Sequence, residues 1–191
     1  MTERIRILGI DPGSRFTGFG VVDFAGGAPA YVASGTIRSP NGTFPERLRK
    51  IFESVGEIVE QYQPAVVSIE SVFMARNAGS ALKLGQARSA ALCATFSADV
   101  EVFEYSPREI KLAVVGTGAA SKEQVQHMIV SLLNLDGAPA ADAADALAAA
   151  ICHAHQRRRH AAFLGLQRQN RKQGQQGETQ PVGEGQGLQG G

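Results

Sequence analysis

Two stretches of the chain, residues 5–10 (IRILGI) and 65–69 (AVVSI), are apolar almost throughout, and each runs directly into a carboxylate, Asp11 and Glu70. A strand with no hydrophobic alternation is buried on both faces, so it belongs inside a sheet that helices cover on both sides. Sheets of that kind bind ligands at the C-terminal ends of their strands. The pattern therefore points to a layered α/β fold. If the two strands pair in parallel, Asp11 and Glu70 enter one crevice, where like charges repel unless protonated, paired or bridged by a cation. A hard divalent metal is the natural partner for oxygen ligands.

The rest of the chain fits this frame. Residues 17–23 and 30–38 are short β-favouring runs, separated from the first by DPGS and from each other by FAGGAP, both turn-forming. Residues 44–62 place Leu48, Ile51, Phe52, Val55, Ile58 and Val59 at helical spacing, with Thr43 as N-cap and Pro45 in the first turn. A helix over about 77–97 and a fifth strand at DVEVFEY follow, giving the order βββαβαβ. Two shorter helices open at Ser106-Pro107 and at Ser121, the second with a capping-box sequence. The last ordered element spans Pro139 to about His155 and is rich in alanine, the best helix former.

Beyond that helix the composition changes. From about residue 167 the chain is rich in Gln, Gly and Arg and has few large apolar groups to offset the entropy of ordering. The expectation is one domain over residues 1–158 and a disordered tail over 159–191. From residue 156 on, six basic residues face two acidic ones, so the tail carries +4 and the body −3 within a total of +1. An acidic body is not the footprint of a nucleic-acid binder, so any such function has to rest on local basic patches. No apolar run approaches the roughly 20 residues of a membrane span, and charges begin at once after Met1, so a soluble cytoplasmic protein is expected. Cys93 and Cys152 lie in alanine-rich stretches without metal-site spacing and read as buried reduced thiols.

A second acidic pair, Asp142 and Asp145 in ADAADAL, is three residues apart and so shares one helix face. Alanine neighbours would let that helix approach the sheet closely and bring the pair to the crevice of Asp11 and Glu70. Four carboxylates there suit two Mg²⁺ ions about 4 Å apart, the arrangement that activates water and stabilises the leaving oxygen in phosphodiester cleavage. Each acid also has a structural explanation by itself. Asp-Pro-Gly is a common turn, a strand-end Glu is ordinarily solvated, and acids favour helix N-termini. Their conjunction is what points to chemistry.

The motifs ILGIDPGSRFTGFGV, IESVFMARNAGSALKLGQAR, EYSPREIKLAVVGTGAASKEQVQHM and ADAADALAAAI resemble those of the RuvC-type crossover junction endodeoxyribonucleases, Holliday junction resolvases of the ribonuclease H-like superfamily. The resemblance covers residues 5 to about 155. It implies a five-stranded mixed sheet, order 3-2-1-4-5, flanked by helices. It further implies a catalytic tetrad of Asp11, Glu70, Asp142 and Asp145 holding two Mg²⁺ or Mn²⁺ ions. The family acts as a homodimer on four-way DNA junctions, nicks two strands symmetrically, and works with the branch-migration proteins RuvA and RuvB.

By the same resemblance Phe73 stacks on unpaired bases, Arg76 and Asn77 face phosphate at a helix start, and Lys111 and Lys122 lie near the scissile phosphate. The small-residue segment 78–92 matches the helix at the family's two-fold interface. Without the resemblance these are an ordinary core Phe, polar helix-start residues, solvated lysines and a helix packed on a sheet. Two other functions share parts of this pattern. An actin-like kinase opens with a similar strand-Asp-x-Gly turn but needs two such domains around its nucleotide. A non-catalytic relative would keep the fold and lose the acids, all four of which are present here.

Overall fold

The computed structural model describes residues 4–71 and 77–177, with side chains as far as residue 159. Strands β1 (Ile5–Asp11), β2 (Phe16–Ala25) and β3 (Ala28–Arg38) form an antiparallel meander. Gly26 and Gly27 supply the positive φ angles of 62° and 89° that its two-residue hairpin turn requires. Helix α1 (Phe44–Tyr62) then carries the chain to β4 (Val66–Glu70), which pairs in parallel with β1. Helix α2 (Ala78–Cys93) leads likewise to β5 (Glu101–Tyr105), parallel to β4. The sheet order is β3-β2-β1-β4-β5, as the resemblance implies. Helices α3 (Pro107–Val115), α4 (Lys122–Leu133) and α5 (Ala141–Gly177) complete the chain.

Sequence dictates the helix ends. Thr43 N–H donates to Glu46 Oε2 at 2.6 Å, Ser106 and Glu109 cap each other at 2.8 and 3.2 Å, and Ser121 pairs in the same way with Gln124. Each reciprocal pair satisfies two backbone donors that a helix start leaves open. Gly116 closes α3 with a φ of 86°.

The apolar strands bury both faces. Leu8, Ile10, Val67 and Ile69 pack under α1 and α2 with Ile51, Val55, Ala87 and Ala91. Ile7, Val22 and Val66 pack on the opposite face with Leu147 and Ile151 of α5 and Ile129 of α4. Sequential side chains of β1 thus divide between two cores, which is why the run shows no alternation.

Three sequence expectations change. Helix α2 ends at Cys93 rather than near residue 97, and Cys93 is exposed, not buried. Ala87, Ala91 and Ala94 mark the buried face, and Cys93 lies two residues from Ala91, on the far side. Third, α5 continues to Gly177 where composition suggests a structureless tail. Ala, Leu, Gln, Arg and Lys in that stretch are strong helix formers even without a core to bury. The chain divides into one unit of Met1–Gln156 and a second of Arg157–Gly191. Among the described residues no helix is long and apolar enough to cross a membrane.

Candidate active site

Strand register sets the first two acids side by side. Ile10 pairs with Ile69 in the parallel β1–β4 ladder, so Asp11 and Glu70 are the next residues at adjacent C-terminal ends. Across the sheet Asp11 pairs with Gly18, Gly18 with Thr36, and Glu70 with Tyr105. One rank of residues, Thr36–Gly18–Asp11–Glu70–Tyr105, therefore faces the helix layer containing α5.

Three glycines bring α5 down onto that rank. A Cβ on Gly18 would collide with the Asp142 carbonyl, one on Gly9 with the Ala146 carbonyl, and one on Gly20 with the Leu147 side chain. Gly9 and Gly20 are direct partners in the β1–β2 ladder, so their missing side chains open one shallow trough. The small residues of α5 sit in it, its backbone closer to the strands than ordinary side chains allow. Ser68 pins the same helix by donating from Oγ to the Ala149 carbonyl at 2.7 Å. Further along, the hydroxyl of Tyr105 is 2.8 Å from Nδ1 of the buried His153. The alanines were legible as a close-packing signal. The matching glycines, spaced by two along strands, are a signal of equal strength that the sequence reading left unused.

The outcome is a cleft of about 200 Å³ whose polar lining is Asp11, Glu70, Asp145, Lys111 and Lys122. Lys111 comes from α3 and Lys122 is the first residue of α4. Asp142, on the first turn of α5, is half-buried and outside this lining, though its charge still acts on Asp11. Burial pushes the Asp11 carboxyl up to about 8, with repulsion from Glu70, Asp145 and Asp142 adding to it and Lys122 opposing it. Glu70 is raised for the same reasons, burial first and then Asp145, against the two lysines. Lys122 Nζ lies 2.7 Å from Asp145 Oδ2, and that bond holds its own pKa above the usual value.

Hard oxygen donors whose burial and mutual repulsion both raise the Asp11 carboxyl fit a divalent cation by their chemistry, since a cation offsets the acids' charge. As the side chains stand, no three of Asp, Glu, His or Cys among the described residues are gathered around one point, and Asp145 pairs with the Lys122 ammonium. Asn77 turns out to be the N-cap of α2, its Oδ1 accepting from Gly79 N–H at 2.8 Å, and it does not line the cleft. Phe73 and Arg76 lie outside the described residues.

The family model of the crossover junction endodeoxyribonuclease RuvC matches residues 7–153. The chain belongs to the RuvC family. Among its relatives, the RuvC crossover junction endodeoxyribonuclease of Alkalilimnicola ehrlichii is 57% identical over 151 residues, covering 79% of this chain and 92% of that protein. That of Teredinibacter turnerae is 54% identical over 170 residues, covering 86% and 96%. The solved structure of Thermus thermophilus RuvC in complex with a Holliday junction substrate superposes with a TM-score of 0.76 at 35% identity, over 82% of this chain and 96% of that one. The yeast mitochondrial Holliday junction resolvase Ydc2 shares the fold, with a TM-score of 0.64 at 12% identity over 85% of each chain. RuvC membership thus agrees with the sheet order and covers every element from β1 into α5.

Proposed function

We propose that Asp11, Glu70, Asp142 and Asp145 are the metal-binding catalytic acids of a Holliday junction resolvase, assisted by Lys111 and Lys122. As a RuvC, the chain is a crossover junction endodeoxyribonuclease, a metal-dependent nuclease of recombination and repair that resolves four-way junctions. The observation that supports this assignment of roles is the shared cleft: strand-end acids of β1 and β4, an acid of α5 and two lysines, from five elements of the fold.

Held by Asp11, Glu70, Asp142 and Asp145, two Mg²⁺ ions, or Mn²⁺ in their place, would supply an activated water and stabilisation of the leaving oxygen. Asp11 and Glu70 enter from rigid strand ends, so their separation is set by the ladder rather than by loops. Asp11, whose proton is favoured first by burial and then by its acidic neighbours, would be a ligand in its ionised form once a cation offset that charge. Lys111 and Lys122 offset the acids' charge, which would otherwise repel the DNA backbone, and hold the scissile phosphate against the carboxylates. By the family resemblance Phe73 stacks on unpaired bases and Arg76 takes phosphate, whereas Asn77 serves through its cap.

The enzyme works as a homodimer through the outer face of α2, where Leu82 is 65% exposed amid Gly79, Ser80, Gln86 and Ser89. Two copies present two clefts, which accounts for paired nicks, and RuvA and RuvB are the expected partners in branch migration. The test is cleavage of a synthetic four-way junction with a movable core, with Mg²⁺ or EDTA, beside linear duplex and an RNA–DNA hybrid. Paired symmetric nicks on the junction alone, absent in EDTA, are the expected result. Tight binding without nicks would make the protein a binding module, and preferential cutting of the hybrid would make it a ribonuclease.

A further inference from the structure

The rank that carries Asp11 also runs away from Glu70, across Gly18 to Thr36 on β3. One step beyond it, toward the same end of the sheet, Phe16 and Arg38 are direct cross-strand partners. Side chains alternate along a strand, so Phe16 and Arg38 project from the face that bears Asp11, Gly18 and Thr36. At about 4.8 Å per strand, Phe16 on β2 stands roughly 5 Å and Arg38 on β3 roughly 10 Å to the side of Asp11 that is opposite Glu70.

Both are exposed, Phe16 to 49%. Arg15, also exposed, precedes Phe16, and its carbonyl accepts the Ser39 N–H at 3.0 Å, joining the starts of β2 and of the β3–α1 connection. Among the described residues neither guanidinium has an ion pair, whereas Arg4, Arg6, Arg88 and Lys122 all do. Thr36 Oγ1 and Ser39 Oγ, beside the pair, are covered yet have no hydrogen-bond partner among the described residues. An exposed Phe alone is unremarkable. Paired with the unpaired guanidinium of Arg38, with a second one on the residue before it, in an acidic body and in line with the proposed cleavage cleft, it matches the combination that grips a nucleic-acid strand: cations for phosphates and an aromatic face for a sugar or base.

We propose that Phe16, Arg38 and Arg15 form a second DNA contact, holding the strand that leaves the cleft on the side opposite Glu70. Arg38 and Arg15 take phosphates and Phe16 packs against the intervening nucleotide. The strand is then gripped on both sides of the cut, by the lysines of α3 and α4 on one side and by the β2–β3 edge on the other. This inference rests on the reading of the cleft as a junction-cutting site.

The test is fluorescence anisotropy of a labelled four-way junction and of linear duplex, in EDTA, from 50 to 200 mM salt, with the full chain and its Arg38→Ala, Phe16→Ala and Lys50→Ala variants. Lys50 is an exposed cation on α1 and serves as a control for net charge. Arg38→Ala is expected to raise the junction Kd about fivefold and to flatten the slope of log K against log salt by about one phosphate contact. Phe16→Ala is expected to raise Kd about threefold without changing that slope, since stacking is uncharged. Thermal melts matching the wild type confirm folding. An Arg38→Ala variant with wild-type Kd and slope overturns the proposal, as does an equal loss in Lys50→Ala. Wild type that neither binds nor, in Mg²⁺, nicks the junction removes the junction-cutting reading and this contact together, whereas normal wild type with unaffected variants removes only the contact.

Discussion

Lys122 and Asp145, far apart in the chain, meet at 2.7 Å across the mouth of the cleft. The first residue of α4 thereby answers the charge of the second α5 acid. The pair is partly exposed, so it contributes little to stability. Its consequence is functional. Asp145 is held beside Asp11 and Glu70, and a cation bound there would compete with Lys122 for it.

Asp145→Asn keeps the shape and loses the charge. Cleavage of a four-way junction in Mg²⁺ should fall by at least about 10³-fold, the scale on which removing transition-state electrostatics acts. Junction binding in EDTA should be retained or slightly tightened, because one negative charge leaves the DNA face. Single-turnover cleavage and anisotropy measured side by side check this, and an active Asn variant would take Asp145 out of the chemistry.

The trough under α5 makes a sharper stability prediction. Gly18→Ala drives a methyl into the Asp142 carbonyl, where neither backbone can give, so a loss of about 3 kcal/mol is expected together with reduced cleavage. Gly56→Ala on α1 meets no atom and removes a helix glycine, so it should stabilise by about 0.5–1 kcal/mol. Urea denaturation of the two variants distinguishes a specific packing effect from a general intolerance of substitution.

Asp11 makes the metal-free protein sensitive to pH. Its carboxyl titrates near 8 in the fold against 3.8 when unperturbed, so the folded state favours the protonated form. The stability this gives is complete below pH about 4 and is lost as pH rises through about 8. In EDTA, wild type should therefore become progressively less stable than Asp11→Asn between pH 5 and 9. Denaturation midpoints of both proteins across that range test it, and parallel curves would mean that Asp11 is ionised throughout.

Ending the chain after residue 158 should leave junction cleavage within about twofold of the full chain. Every residue of the cleft and both buried cores lie before that point. A large loss of junction affinity that high salt abolishes would instead assign a DNA contact to the four basic residues removed, Arg159, Arg168, Arg171 and Lys172.

Much of this protein was written in its linear pattern. Apolar runs without alternation specified a sheet covered on both sides, reciprocal Ser-Glu, Ser-Gln and Thr-Glu caps specified where helices start, and the motifs around Asp11, Glu70 and Asp142 identified the family. These features are local, decided by side-chain spacing and by backbone groups that need partners within a few residues. The sequence did not reveal that Asp145 rather than Asp142 meets Lys122, that Asn77 caps α2, or that Phe16 and Arg38 are cross-strand partners. It did not show that Gly9, Gly18 and Gly20 line up beneath α5 either. All of these depend on register between strands and on how closely a helix settles on a sheet. Each is fixed by many weak contacts between residues remote in sequence, and tertiary packing alone decides them.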